Sequence, residues 1–159
     1  MTNNHLIPWT TAEILQATAG ELVCGDLQRA FSKVFIDSRM TADDGVFVAI
    51  AGQNHDAHTF LPDVVDQGVR ALVINREKAQ HLPLEAWKTK GVACITVADT
   101  TRALGDMAAF NRRRSRASVV GITGSNGKTT TRQLAAAVVS QQYKTLATAG
   151  NFNNEIGLP

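Results

Sequence analysis

A chain of 159 residues, 44% hydrophobic and 19% charged, has the makeup of an ordinary globular protein of one domain or two small ones. Sixteen basic residues against fourteen acidic ones leave +2, too weak a balance to argue for nucleic acid from charge alone. Residues 1–9 carry neither a basic start nor an apolar run, and no stretch approaches the roughly 20 apolar residues of a membrane span, so a cytoplasmic protein without membrane insertion is expected.

Thr10 to Glu13 has the form of a capping box, which predicts a helix with Ile14 and Leu15 on its buried face and Gly20 as its stop. Residues 31–37 and 45–50 read as strands. Residues 59–67 read as a short helix, with Phe60, Leu61, Val64 and Val65 at helical spacing, Pro62 in the first turn and Gly68 at the end. A third strand is expected at 70–74. Residues 75–90 are polar, contain Pro83 and read as a surface connection. A fourth strand follows at 92–97. A helix starting near Asp99 or Thr100 has Ala103, Leu104, Met107 and Phe110 as its apolar stripe. The closing segment reads as strand 118–123, a loop, a helix at 128–142 and a strand at 143–147. Alternating strands and helices define an α/β protein with a largely parallel sheet. The boundary is expected near residue 97, giving a small α/β domain at 1–97 and the start of a nucleotide-binding domain at 98–159. Cys24 and Cys94 have no Cys or His at zinc-ligand spacing and read as reduced core thiols.

Residues 119–131 carry the strongest chemical signal. Phosphate binding needs backbone N–H groups converging on oxygens, and glycines let the chain come close. Gly124, Ser125, Asn126 and Gly127 would form that cradle, and Lys128 would bring charge to the β and γ phosphates of ATP. Thr129 would give a hydroxyl to Mg²⁺, and Thr130 would sit in the helix whose positive end faces the anion. The spacing departs from G-x-x-x-x-G-K-[ST], because Ile122 occupies the place of the first glycine and Gly121 lies one residue early. A bare strand-to-helix turn is the bland reading.

Residues 123–130, Thr-Gly-Ser-Asn-Gly-Lys-Thr-Thr, resemble the phosphate loop of the Mur ligase family, which has the same glycine shift. Asp37-Ser38-Arg39, residues 45–49, and the pattern Gly52, Asp56, His58, Phe60 resemble that family's N-terminal UDP-sugar domain. The tail from Thr148 to Pro159 resembles the branch that adds a D-Ala-D-Ala dipeptide. The resemblance implies ATP-dependent amide ligation onto a UDP-N-acetylmuramoyl tripeptide through an acyl phosphate, in a monomeric enzyme of peptidoglycan synthesis. It also implies that Lys128 is catalytic and that later domains are needed for ligation, so this chain alone is expected to be inactive. Diamino-acid-adding Mur ligases and folylpolyglutamate synthetase are rival acceptor classes. A non-catalytic UDP-sugar-binding module is the rival of another kind.

Four further groups carry two readings each. Ser38 and Arg39 suit UDP contact, or a capped turn with a surface arginine. Asn151 and Asn154, with Asn153 and Glu155, suit a place near the γ-phosphate and substrate carboxylate, or plain turn chemistry. His55, Asp56 and His58 suit a turn that shapes the UDP pocket better than a metal site, since no fourth ligand is near. Arg112, Arg113, Arg114 and Arg116 read as a solvated helix end.

Overall fold

The computed structural model describes residues 7–40, 43–52, 55–115, 117–148 and Ile156. The chain opens with β1 (Trp9–Thr10), α1 (Thr11–Thr18), β2 (Glu21–Cys24), β3 (Ala30–Phe31), β4 (Lys33–Phe35) and β5 (Gly45–Val48). A 3₁₀ turn (Ala57–Phe60) leads into α2 (Leu61–Asp66), followed by β6 (Ala71–Asn75), α3 (Arg76–Ala79), α4 (Leu84–Thr89) and β7 (Ala93–Val97). Two longer helices follow, α5 (Thr100–Arg114) and α6 (Lys128–Val139).

The main sheet has the order β2-β7-β6-β5-β4. Strands β4 to β7 pair in parallel, and β2 closes one edge antiparallel to β7. Side chains of a strand alternate between faces, and each central strand is apolar on both. Val46, Val48, Ala71, Val73, Ala93, Ile95 and Val97 face one core, covered by α1 and α5. Phe47, Leu72, Ile74 and Cys94 face a second core, covered by α2, Ala79 of α3 and Trp87 of α4. A parallel sheet buried on both faces is what near-continuous apolar strands require. The expected α/β class with a largely parallel sheet is what the molecule has.

The capping box at Thr10 forms as expected: the Glu13 amide donates to the Thr10 hydroxyl at 3.2 Å, and the Thr10 amide donates to the Glu13 carboxylate at 2.9 Å. The stop of α1 differs in detail. Ala19 takes the left-handed cap at φ 50, and Gly20 is needed for closeness instead: a Cβ there would stand 2.9 Å from Ile95 Cγ2.

Four expectations change. The strand read at 31–37 breaks at Ser32, whose amide donates to Asp44 O at 3.1 Å; β3 pairs with β1 in a small second sheet, and β4 joins the main one. The connection at 75–90 holds two short helices, because Ala79 and Trp87 are core residues inside a polar stretch. The helix read at 128–142 ends at Val139. The strands expected at 118–123 and 143–147 are not formed. A strand is a hydrogen-bonded pair, and neither segment has a pairing partner among the described residues; Val120 is 81% exposed and Leu146 98%. Helix α5 lies beyond residue 97, and its Ala103, Leu104 and Met107 are buried in the first core.

Helix α5 thus packs with the sheet, whereas α6 has no buried residue. Limited proteolysis should therefore cut first within residues 115–127 and leave a resistant core ending near Arg114. First cuts near residue 98, with loss of α5, would support the boundary expected near residue 97.

Candidate functional site

The phosphate loop is built by backbone geometry. Gly124 and Gly127 have φ +150 and +75, conformations that side-chain-bearing residues rarely adopt. At Gly127 an added Cβ would meet nothing within 4 Å, so the left-handed backbone rather than crowding calls for glycine there. Gly127 caps α6 without a side-chain bond, which leaves the first-turn amides of the helix facing outward. The Lys128 ammonium folds back to donate to Gly124 O, and to Ser125 O at 3.5 Å. Cation, cap and first-turn amides thus converge on one exposed loop, with Thr129 and Thr130 exposed in the first turn of α6. These residues fit the phosphates of a nucleotide. The chemistry of the donor set, a lysine beside a threonine hydroxyl, also suits an Mg²⁺-bound triphosphate.

A second group lies at the carboxyl ends of the parallel strands, where α/β sheets bind ligands. After β4 the chain turns: the Met40 amide donates to Asp37 O at 3.1 Å, and the Arg39 amide donates to Asp37 Oδ1 at 3.0 Å. The Arg39 guanidinium grips the same carboxylate at 2.9 and 2.6 Å, which holds Asp37 at about 2, well below the ordinary carboxylate range. Arg39 is thereby oriented while staying exposed. Ser38 is half-buried in the same turn.

Beyond β5 and β6 at the same edge sits a network that sequence reasoning saw only in part. Asp56 caps the 3₁₀ turn, accepts from the His58 amide at 3.1 Å and pairs with His58 Nδ1 at 2.7 Å. It also pairs with Lys78 of α3. Partial burial pushes the Asp56 carboxyl up, but the Lys78 and His58 bonds outweigh it and bring it to about 2. His58 Nε2 accepts the Asn75 amide at 2.9 Å, so the ring is neutral with its proton on Nδ1. Both ring nitrogens are engaged within the protein, which leaves neither for a metal. Lys78 was missed because it lay in the stretch read as connection.

Burial, reinforced by Lys78, lowers the His58 pKa below 6.5 against the opposing pull of Asp56. The unfolded chain then binds the extra proton first as pH falls. Stability is full above the unfolded value and declines as pH drops through it toward the folded one. The melting midpoint should fall as pH is lowered below the ordinary histidine value of about 6.5, and His58→Gln should flatten that slope. An unchanged slope in the variant would remove His58 as its cause.

The basic cluster at the end of α5 divides. Arg112 and Arg113 are exposed, whereas the Arg114 side chain is only 14% exposed and is no solvated helix end. It pairs with Glu13 of α1 at 2.8 Å, donates to the carbonyls of Ile7 and Pro8, and lies over the Trp9 ring at 4.6 Å. Asn151 and Asn154 lie outside the described residues.

Residues 122–159 match the Mur ligase middle domain. The chain is 41% identical over 150 residues to the UDP-N-acetylmuramoyl-tripeptide–D-alanyl-D-alanine ligase of Treponema pallidum, covering 92% of this chain and 33% of that protein. Its structure resembles that of MurF from Acinetobacter baumannii, with a TM-score of 0.82 and 33% identity over 96% of this chain and 32% of the other. It also resembles MurF from Thermotoga maritima in complex with ADP, at a TM-score of 0.67 and 26% identity over 79% of this chain and 27% of that one. The chain belongs to the Mur ligase family. Within it, the relatives it matches are the D-alanyl-D-alanine-adding ligases, and it spans about a third of their length. No helix among the described residues is long and apolar enough to cross a membrane.

Proposed function

We propose that this chain forms the UDP-substrate-binding unit and phosphate loop of a ligase that joins D-Ala-D-Ala to UDP-N-acetylmuramoyl tripeptide. The observation that carries the reading is the loop itself, with left-handed glycines, open helix amides and Lys128 converging before α6. ATP supplies the phosphoryl group that turns the tripeptide carboxylate into an acyl donor. Lys128 neutralises charge developing on the transferred phosphoryl group, the loop amides hold its neighbours, and Thr129 is the hydroxyl ligand of Mg²⁺. Arg39, oriented by Asp37, and Ser38 hold the UDP end. Asn151 and Asn154 belong near the γ-phosphate. The UDP-binding unit comprises the sheet through β7 and, by its packing, α5. The enzyme works as a cytoplasmic monomer, where its nucleotide substrates are made.

Titration calorimetry of the chain with UDP-muramoyl tripeptide and, separately, with Mg-ATP tests the assignment. The UDP ligand should bind measurably and ATP weakly, because the chain spans a third of its relatives and a site completed by further domains loses their contacts. Arg39→Ala should weaken UDP-ligand binding by about 1.5–3 kcal/mol. Tight ATP binding with no UDP response would reverse the roles of the two segments. UDP binding with no shift of loop amide resonances at saturating Mg-ATP would favour a non-catalytic UDP-sugar module.

A further inference from the structure

Cys24 and Cys94 are used by neither site, and the fold sets them face to face. Strand β2 pairs Glu21 with Thr96 and Leu22 with Ile95, but Cys24 rather than Val23 with Cys94. Val23 is thus an extra residue on β2, a bulge that leaves it exposed and turns the next side chain to the other face. The consequence is visible in the cores: Leu22 packs against the first, while Cys24 and Cys94 both belong to the second. Gly25 holds the arrangement, at φ +113 with Ala93 Cα 2.4 Å from where its Cβ would be. The Cys24 thiol donates to Val92 O at 3.5 Å, and Cys24 adds to the effect of burial in pushing the Cys94 thiol up. Directly opposed residues of antiparallel strands have Cα atoms about 4.5–5.5 Å apart, inside the disulfide range of about 4.4–6.8 Å.

We propose that Cys24 and Cys94 form a dithiol modification site that small disulfides oxidise to an intramolecular bond across β2 and β7. Cys24, 8% exposed on the edge strand, reacts first; Cys94 is wholly buried, and burial pushes its thiol up. The Cys24 thiolate attacks one sulfur of oxidised glutathione and releases one glutathione. The Cys94 thiolate then attacks the Cys24 sulfur of the mixed disulfide and releases the second. The two thiol protons end on the two glutathiones. The bond would tie β2 to its one sheet neighbour.

The test incubates the native chain with oxidised glutathione, alkylates residual thiols and reads intact mass and digest. The expected product is a monomer lacking two hydrogens, with a Cys24–Cys94 cross-linked peptide that dithiothreitol reverses. Cys94→Ser should stop at a glutathione adduct on Cys24, and Cys24→Ser should leave Cys94 unmodified. Cross-linking only in urea, mixed disulfides alone in the wild type, or modification of Cys94 in Cys24→Ser at the wild-type rate would overturn the proposal.

Discussion

Replacing Lys128 with alanine in a ligase carrying this segment should lower kcat at least about a hundredfold, a loss of about 2.7 kcal/mol of transition-state stabilisation. The ammonium is exposed, and among the described residues its bonds run to the Gly124 and Ser125 carbonyls of its own loop. Its removal should therefore leave the fold intact, and under the proposed function the whole effect should fall on the phosphoryl group whose charge it would compensate. Lys128→Arg keeps the charge but not its compact shape and should restore only part of the rate. Steady-state kinetics with equal melting midpoints for the three proteins separates a chemical loss from a structural one. Retention of more than about a tenth of the wild-type rate, under about 1.4 kcal/mol, would remove Lys128 from the chemistry.

The largest effect on stability is expected at Arg114. Its guanidinium ties α1, through Glu13, to the carbonyls of residues 7 and 8 and to the end of α5. It also stacks on Trp9 and Phe110, whose rings sit 5.6 Å apart. Arg114→Ala strips the partner from Glu13 and unpacks two rings. Removing one side of a largely enclosed pair costs about 3 kcal/mol, trimmed here because Glu13 is 30% exposed. Arg112→Ala and Arg113→Ala should each stay within about 0.5 kcal/mol. Arg114→Met, which keeps an apolar stem over Trp9, should recover part of the loss. Urea denaturation gives all four values, and equal effects at 112, 113 and 114 would contradict the clamp.

The parts of the fold legible in the sequence were those whose signal is local and repeated. The short continuous apolar runs of β5 to β7 and the stripe of Ala103, Leu104 and Met107 specify their elements without knowledge of neighbours. So do the caps at Thr10 and Asp99. The misses share a cause. At 118–123 the apolar pattern is right, but a strand exists only with a partner alongside. Arg114 carried a dipole argument that was true of any last-turn arginine, while its partners lie up to 107 positions away. Strand β2 hid behind its bulge, since Val23 breaks the alternation that would announce it. At the site, the phosphate loop could be read residue by residue because backbone conformation and cation follow one another in the chain. The Asp56–Lys78 pair could not, because it joins two elements 22 positions apart across the sheet edge.

Because Arg114 holds the carbonyls of Ile7 and Pro8, the two ends of the first unit stand one side chain apart. Such a unit has no directional axis from entry to exit. It is a closed circuit, interrupted at a single place, and a few flexible residues joining 114 to 7 would bridge that interruption with little strain. The sheet could then be opened elsewhere, for instance in the turn between α3 and α4, without altering any strand neighbour. The order in which the chain is synthesised and the order in which the sheet is assembled are, for this unit, separable properties.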